Sequence, residues 1–152
     1  MKRNIMVFSV MALVLGMAAW VGAHCEIPCG IYDDPMRMKM IYEHIQTLDK
    51  SVHEIGRLQE DKTPNYNQLV RWIDNKDHHA EQLQEIVTQY FMTQRIAPVE
   101  PGAPGYDKYV REITLLHQMQ VQAMKVKQTV DPEAVVRLRK SAAEFEASYF
   151  AK

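Results

Sequence analysis

Residues 34–55 read DPMRMKMIYEHIQTLDKSVHEI, and their spacing decides the fold. Asp34-Pro35 is a helix start, because an aspartate oxygen caps unpaired N–H groups and proline suits the first turn, where its missing donor is not needed. Ile41, Ile45, Leu48, Val52 and Ile55 then recur at intervals of 4, 3, 4 and 3, a narrow apolar seam along one side of a helix. Thr63-Pro64 opens a second helix by the same rule, with a stripe at Leu69, Ile73, Ala80, Leu83, Val87 and Tyr90. Ile96 to Gly105 holds three prolines and two glycines and reads as a loop. A third helix starts near Tyr106 and turns Val110, Ile113, Leu116, Val121 and Met124 inward. Asp131-Pro132 starts a fourth, with Val135, Leu138, Ala142, Phe145 and Tyr149. Four amphipathic helices with short connections predict an all-α, antiparallel four-helix bundle. The second seam has one break, at Lys76 or Asp77, where a charge is expected to snorkel to the surface rather than be buried with a partner.

The chain has 152 residues, 47% hydrophobic and 24% charged, which suits one globular domain. Eighteen Lys and Arg against nineteen Asp and Glu give a net charge of −1, with no basic excess for a nucleic-acid backbone. Two cysteines are too few for a disulfide-dense scaffold.

Residues 1–23 read as a cleavable secretion signal. Lys2 and Arg3 are followed by an uncharged stretch from Ile5 to Val21, then small residues in Val21-Gly22-Ala23. Cleavage by a signal peptidase between Ala23 and His24 is expected, leaving residues 24–152 as the mature domain. The product is expected to be periplasmic or extracellular, without stable membrane association. Bulky His24 before Cys25 argues against a lipoprotein box, and Lys2-Arg3 is not a twin-arginine signal.

This cut has a chemical consequence. His24 acquires a free α-amine directly beside Cys25, and His24-Cys25-Glu26-Ile27-Pro28-Cys29-Gly30-Ile31-Tyr32 belongs to no periodic pattern. The α-amine and the Cys25 thiolate can chelate one ion through the deprotonated amide between them. Pro28 and Gly30 would turn the chain so that Cys29 supplies a fourth donor. Two nitrogens and two thiolates in a plane suit Ni(II) or Cu(II), with the His24 imidazole left for an axial position. Such electron-rich donors also bring the nickel couple towards mild one-electron chemistry. Two further readings stand beside this one: a Cys25–Cys29 disulfide in a structural helical protein, and an extracytoplasmic nickel or copper carrier without turnover.

His24-Cys25-x-x-Pro28-Cys29-Gly30-x-Tyr32 resembles the nickel hook of nickel superoxide dismutases at every fixed position. The resemblance implies one nickel per subunit, a homohexamer of four-helix bundles, and disproportionation of superoxide to dioxygen and hydrogen peroxide by Ni(II)/Ni(III) cycling. It assigns His24, Cys25 and Cys29 as metal ligands, His24 and Tyr32 as the residues at the reacting centre, and Tyr90 as a second tyrosine nearby. That family holds the axial imidazole with a carboxylate on the first helix and an arginine on the second. The nearest counterparts here are Glu43 and Lys76, and lysine lacks the planar fork of arginine.

Other residues invite a second metal site. His44 lies on the first seam and is read as a core or interface histidine. His78 and His79 are adjacent and point about 100° apart on a helix. Asp49/His53 and Asp74/His78 are i,i+4 surface pairs. Met36, Met38 and Met40 are read as packing residues rather than a copper string.

Overall fold

The computed structural model describes residues 28–151; the expected cleavage site at Ala23 and His24 and the expected ligand Cys25 lie outside them. Two units are distinguished, divided between Tyr32 and Asp33. Of the first, the described part is the segment 28–32, a turn. The second is the helical domain.

Its helices are α1 (Asp34–Glu60), α2 (Tyr66–Glu85), α3 (Tyr106–Gln128) and α4 (Pro132–Tyr149). Helix α2 runs without a break into a π-helical segment, Ile86–Arg95. The fold is the antiparallel four-helix bundle that the apolar periodicity predicts. Helix α1 packs on α2 and α4, and α3 packs on the same two helices from the other side. Antiparallel crossings are visible in the polar links. Asn75 donates to the Ser51 hydroxyl at 3.0 Å, and Tyr42 donates to Glu146 at 2.7 Å. The core runs the length of the bundle through Leu48, Leu83, Phe91, Leu116, Leu138 and Phe145, all withdrawn from water. Burial of these apolar faces is the main force holding the helices together.

The structure departs from the sequence-based expectations at two helix caps, on one helix face and at one lysine. The cap of α1 is Asp33, whose side chain accepts from the Met36 N–H at 3.0 Å, so Asp34 sits inside the first turn. One residue can satisfy that end, and the second aspartate is released for another partner. Likewise Asn65, not Thr63, caps α2 by accepting from the Gln68 N–H at 3.2 Å.

Helix α3 is rotated about its axis relative to the expected face. It buries Glu112, Leu115, Leu116, Met119, Ala123 and Val126, whereas Val110 and Met124 are 42% and 43% exposed. Apolar residues lie on both faces of this helix, so periodicity alone chose the wrong stripe.

Lys76 does not snorkel. It is 2% exposed, and its ammonium donates to Asp77 at 2.7 Å and to the carbonyls of Val126 and Lys127 at 2.8 and 2.6 Å. Those carbonyls belong to the last turn of α3, where no intrahelical donor remains. The negative end of the helix dipole adds to the attraction. A buried cation is tolerated here because all three ammonium protons find acceptors.

Candidate metal centre

The turn of the first unit is built from Pro28, Cys29, Gly30 and Ile31. The Ile31 N–H donates to the Pro28 carbonyl at 2.7 Å, and Gly30 has a φ of +78°. A positive φ at the third position is the requirement of a type II turn, which glycine meets without a Cβ penalty. Cys29 occupies the second position and its side chain is exposed. Tyr32 follows the turn and is 39% exposed. An exposed thiol on a tight turn suits the donor set expected of a nickel ligand. Among the described residues no group of three or more His, Cys, Asp or Glu side chains could hold a metal. His24 and Cys25, the remaining ligands that the hook sequence leads one to expect, lie outside those residues.

Within the helical unit, the released Asp34 is the hub of a polar cluster. Arg95 donates through Nε to Oδ1 and through Nη2 to Oδ2, both at 2.8 Å, a bidentate fork. Tyr90 donates its hydroxyl to Oδ1 at 2.6 Å and Tyr149 donates to Oδ2 at 2.9 Å. Hydrogen bonding from Arg95 holds the Asp34 carboxyl below its usual range, against burial and with help from the two tyrosines. Burial, followed by the bond to Asp34, pushes the hydroxyls of Tyr90 and Tyr149 up to about 12 each. Both therefore remain neutral donors throughout the physiological range.

The π-helical segment makes this cluster possible. The Ile96 N–H, the Thr93 hydroxyl and the Gln94 side-chain amide each reach back five residues, to Phe91, Thr88 and Gln89. In an α-helix, residues five apart point about 140° away from each other. The wider π turn narrows that angle, so Tyr90 and Arg95 converge on one oxygen of Asp34. Phe91, Phe145 and Tyr149 stack behind them with centroids 5.0 to 5.5 Å apart. That packing fixes the Tyr149 ring while its hydroxyl faces Asp34. Arg37 lies over the Tyr90 ring, 4.9 Å from its centroid.

Of the predicted residues of the helical unit, Lys76 and Tyr90 lie apart. Tyr90 is 3% exposed and belongs to the Asp34 cluster. Lys76 lies fourteen residues earlier on the same continuous helix, roughly 20 Å away by helical rise, and caps the end of α3. Glu43 is exposed on α1. Sequence reasoning missed Asp34, Arg95 and Tyr149 as a group. The one available signal was the doubled Asp33-Asp34, since a helix start needs a single capping aspartate.

Met38 is buried, Met40 packs against the core and Met36 is 50% exposed, so the three do not line a common site. His53 pairs with Asp49 at 3.6 Å as expected of a surface i,i+4 pair. His44 is half-buried and meets His79 across the α1–α2 contact.

The family model for nickel-containing superoxide dismutase matches residues 19–152, which takes in the turn and all four helices. Comparison with curated proteins and with solved structures gives no match.

Proposed function

The chain belongs to the nickel-containing superoxide dismutases, and on that premise we propose that superoxide is dismutated at a nickel hook formed by His24, Cys25 and Cys29. The chain is thus an oxidoreductase with nickel as its cofactor and superoxide as its substrate. Two superoxide anions and two protons give one dioxygen and one hydrogen peroxide. Bound nickel supplies the electron storage by alternating between Ni(II) and Ni(III).

The chain's own part is to hold that ion and to control access to it. Cleavage after Ala23 would free the His24 α-amine, which would hold the ion together with the backbone nitrogen of Cys25. The thiolates of Cys25 and Cys29 and the His24 imidazole would supply the other donors. Gly30 fixes the turn that presents Cys29. Tyr32 shapes the approach of the small anion, and Tyr90 is the counterpart of a second tyrosine that the family resemblance puts nearby. Each subunit holds one nickel, and the subunits assemble as a homohexamer.

Cleavage by signal peptidase joins maturation to export in this reading. The apo chain crosses unfolded and takes up nickel outside the cytoplasm, where the mature protein is periplasmic or extracellular. The apolar stretch from Ile5 to Val21 and the small residues before His24 support it. Recovery of trimmed, nickel-loaded protein solely from the cytoplasm would overturn this route.

The observation that carries the reading is Cys29, exposed on a glycine-fixed turn within the hook sequence. Native mass spectrometry of protein from an exporting host grown with nickel is the direct test. The expected species begins at His24, carries one nickel and accelerates superoxide decay in a stopped-flow assay. Cys29→Ser is expected to lose both the nickel and the activity. A trimmed chain with an internal Cys25–Cys29 disulfide and no metal, or a loaded one that leaves superoxide untouched, would defeat it.

A further inference from the structure

Two histidines from facing helices meet at the α1–α2 contact, away from the Asp34 cluster and outside the hook. The Nδ1 atoms of His44 and His79 are 2.9 Å apart, with ring centroids at 5.1 Å and the planes tilted by 53°. Both rings are half-buried, and each is backed by a core residue next to it in sequence, Ile45 and Ala80.

We propose that His44 and His79 form a second metal site, a two-imidazole chelate for a divalent first-row ion with square or octahedral preference, Cu(II) or Ni(II). Imidazole nitrogens bind such ions at about 2.0–2.1 Å. Two nitrogens 2.9 Å apart then subtend an angle of about 90° at the metal, given that bond length. This is the cis angle of a square or an octahedron. A tetrahedral ion would need the nitrogens to part by about 0.4 Å at the same bond length, so Zn(II) fits less well as the pair stands.

The protonation chemistry agrees with the geometry. Burial depresses the basicity of both rings, and mutual repulsion with His79 adds to the effect on His44, while Glu43 opposes it. His78 depresses both rings further. Neutral imidazoles retain the lone pairs that a metal requires. Without metal, a 2.9 Å contact requires one Nδ1 to carry a proton and donate it to the other. Metal binding moves that tautomer to Nε2–H and releases no proton from a neutral pair. Water completes the coordination from the exposed side.

The pairing also explains why two isolated helical positions, 35 residues apart, make a chelate. Each helix is held in place by its own seam, through Ile41, Ile45 and Leu48 on α1 and Ala80 and Leu83 on α2. The two rings are thereby preorganised before any ion arrives, which lowers the ordering cost of binding.

The test uses the mature, nickel-loaded protein with Cu(II) or further Ni(II) as probe. In the unchanged chain, paramagnetic broadening of the ring resonances of both His44 and His79 at one added equivalent is the expected result. If neither ring broadens while metal binds elsewhere, the proposal fails. His44→Gln and His79→Gln are each expected to weaken this binding by at least about tenfold, the lower bound set by the loss of even an outer partner of a metal site. His78→Gln should leave it in place. Equal losses in His78→Gln and His79→Gln would instead identify a surface pair on α2 and overturn the α1–α2 chelate. Because the readout concerns ring resonances on α1 and α2, its failure leaves the hook reading untouched.

Discussion

Asp34 and Glu112 are both carboxylates withdrawn from water, yet their surroundings drive them in opposite directions. Asp34 receives a bidentate arginine and two tyrosine hydroxyls, and is held ionised. Glu112 is 5% exposed and is met by Lys108 at 3.8 Å and by the Ser148 hydroxyl at 3.5 Å. Those contacts are too long to offset its burial, which pushes the carboxyl above its ordinary value. Both clusters border one cleft, lined by Arg95, Lys108, Glu112 and Tyr149. Burial therefore does not decide the ionisation of a carboxylate in this bundle. The number and reach of its donors do.

The comparison breaks most visibly at Arg95. Arg95→Met strips the fork from Asp34 and leaves a largely buried carboxylate with two neutral donors. Unfolding by denaturant at neutral pH is expected to show a loss of about 1.5–3 kcal/mol, the range for a hydrogen bond to a charged group. Partial exposure of the pair keeps the loss below that of a fully buried one. A loss under about 0.5 kcal/mol, typical of a surface change, would show that the cluster contributes little to the fold.

The next effect is one of pH, and the two carboxylates carry opposite signs. Asp34 has a folded value depressed below the ordinary 3.8, so its stabilisation is present above that value and is lost as pH falls through the folded one. Glu112 has a folded value raised above the ordinary 4.5. Its contribution is complete below 4.5 and is lost as pH rises through the folded value. Stability measured from pH 7 downward is expected to lose its steepest acid slope in Asp34→Asn. Glu112→Gln is expected to gain up to about 1 kcal/mol at neutral pH, the worth of a hydrogen bond kept without a buried charge. Parallel pH curves for the two variants would remove the distinction between the sites.

The smallest change is at Tyr149. Tyr149→Phe keeps the ring against Phe91 and Phe145 but removes one donor to Asp34. Arg95 and Tyr90 still hold the carboxylate, so a loss of about 0.5–1.5 kcal/mol is expected from denaturant curves. A larger loss, matching that of Arg95→Met, would place the tyrosine rather than the arginine at the centre of the cluster.

The sequence made the bundle legible because its seams repeat at helical spacing through Ile41, Ile45, Leu48, Val52 and Ile55, and through Val135, Leu138, Ala142 and Phe145. All of these are buried in the core. Helix α3 was less legible because apolar residues occupy more than one of its faces, and only its neighbours select which is covered. Lys76 was visible as an irregularity, but not its partners, since the carbonyls of Val126 and Lys127 come from another helix.

The hook motif is a local pattern, in which near neighbours in sequence would supply donors at fixed covalent spacing. Its sequence therefore suffices to name nickel chemistry, as the family match bears out for the cofactor and the enzyme class. The Asp34 cluster and the His44–His79 pair are of another kind. Each joins residues far apart in the chain, and Arg95 reaches its place through a π-helical turn that a 3.6-residue period does not anticipate. Covalent spacing settles what neighbours in sequence can do together; only the packing of whole helices settles which distant side chains meet.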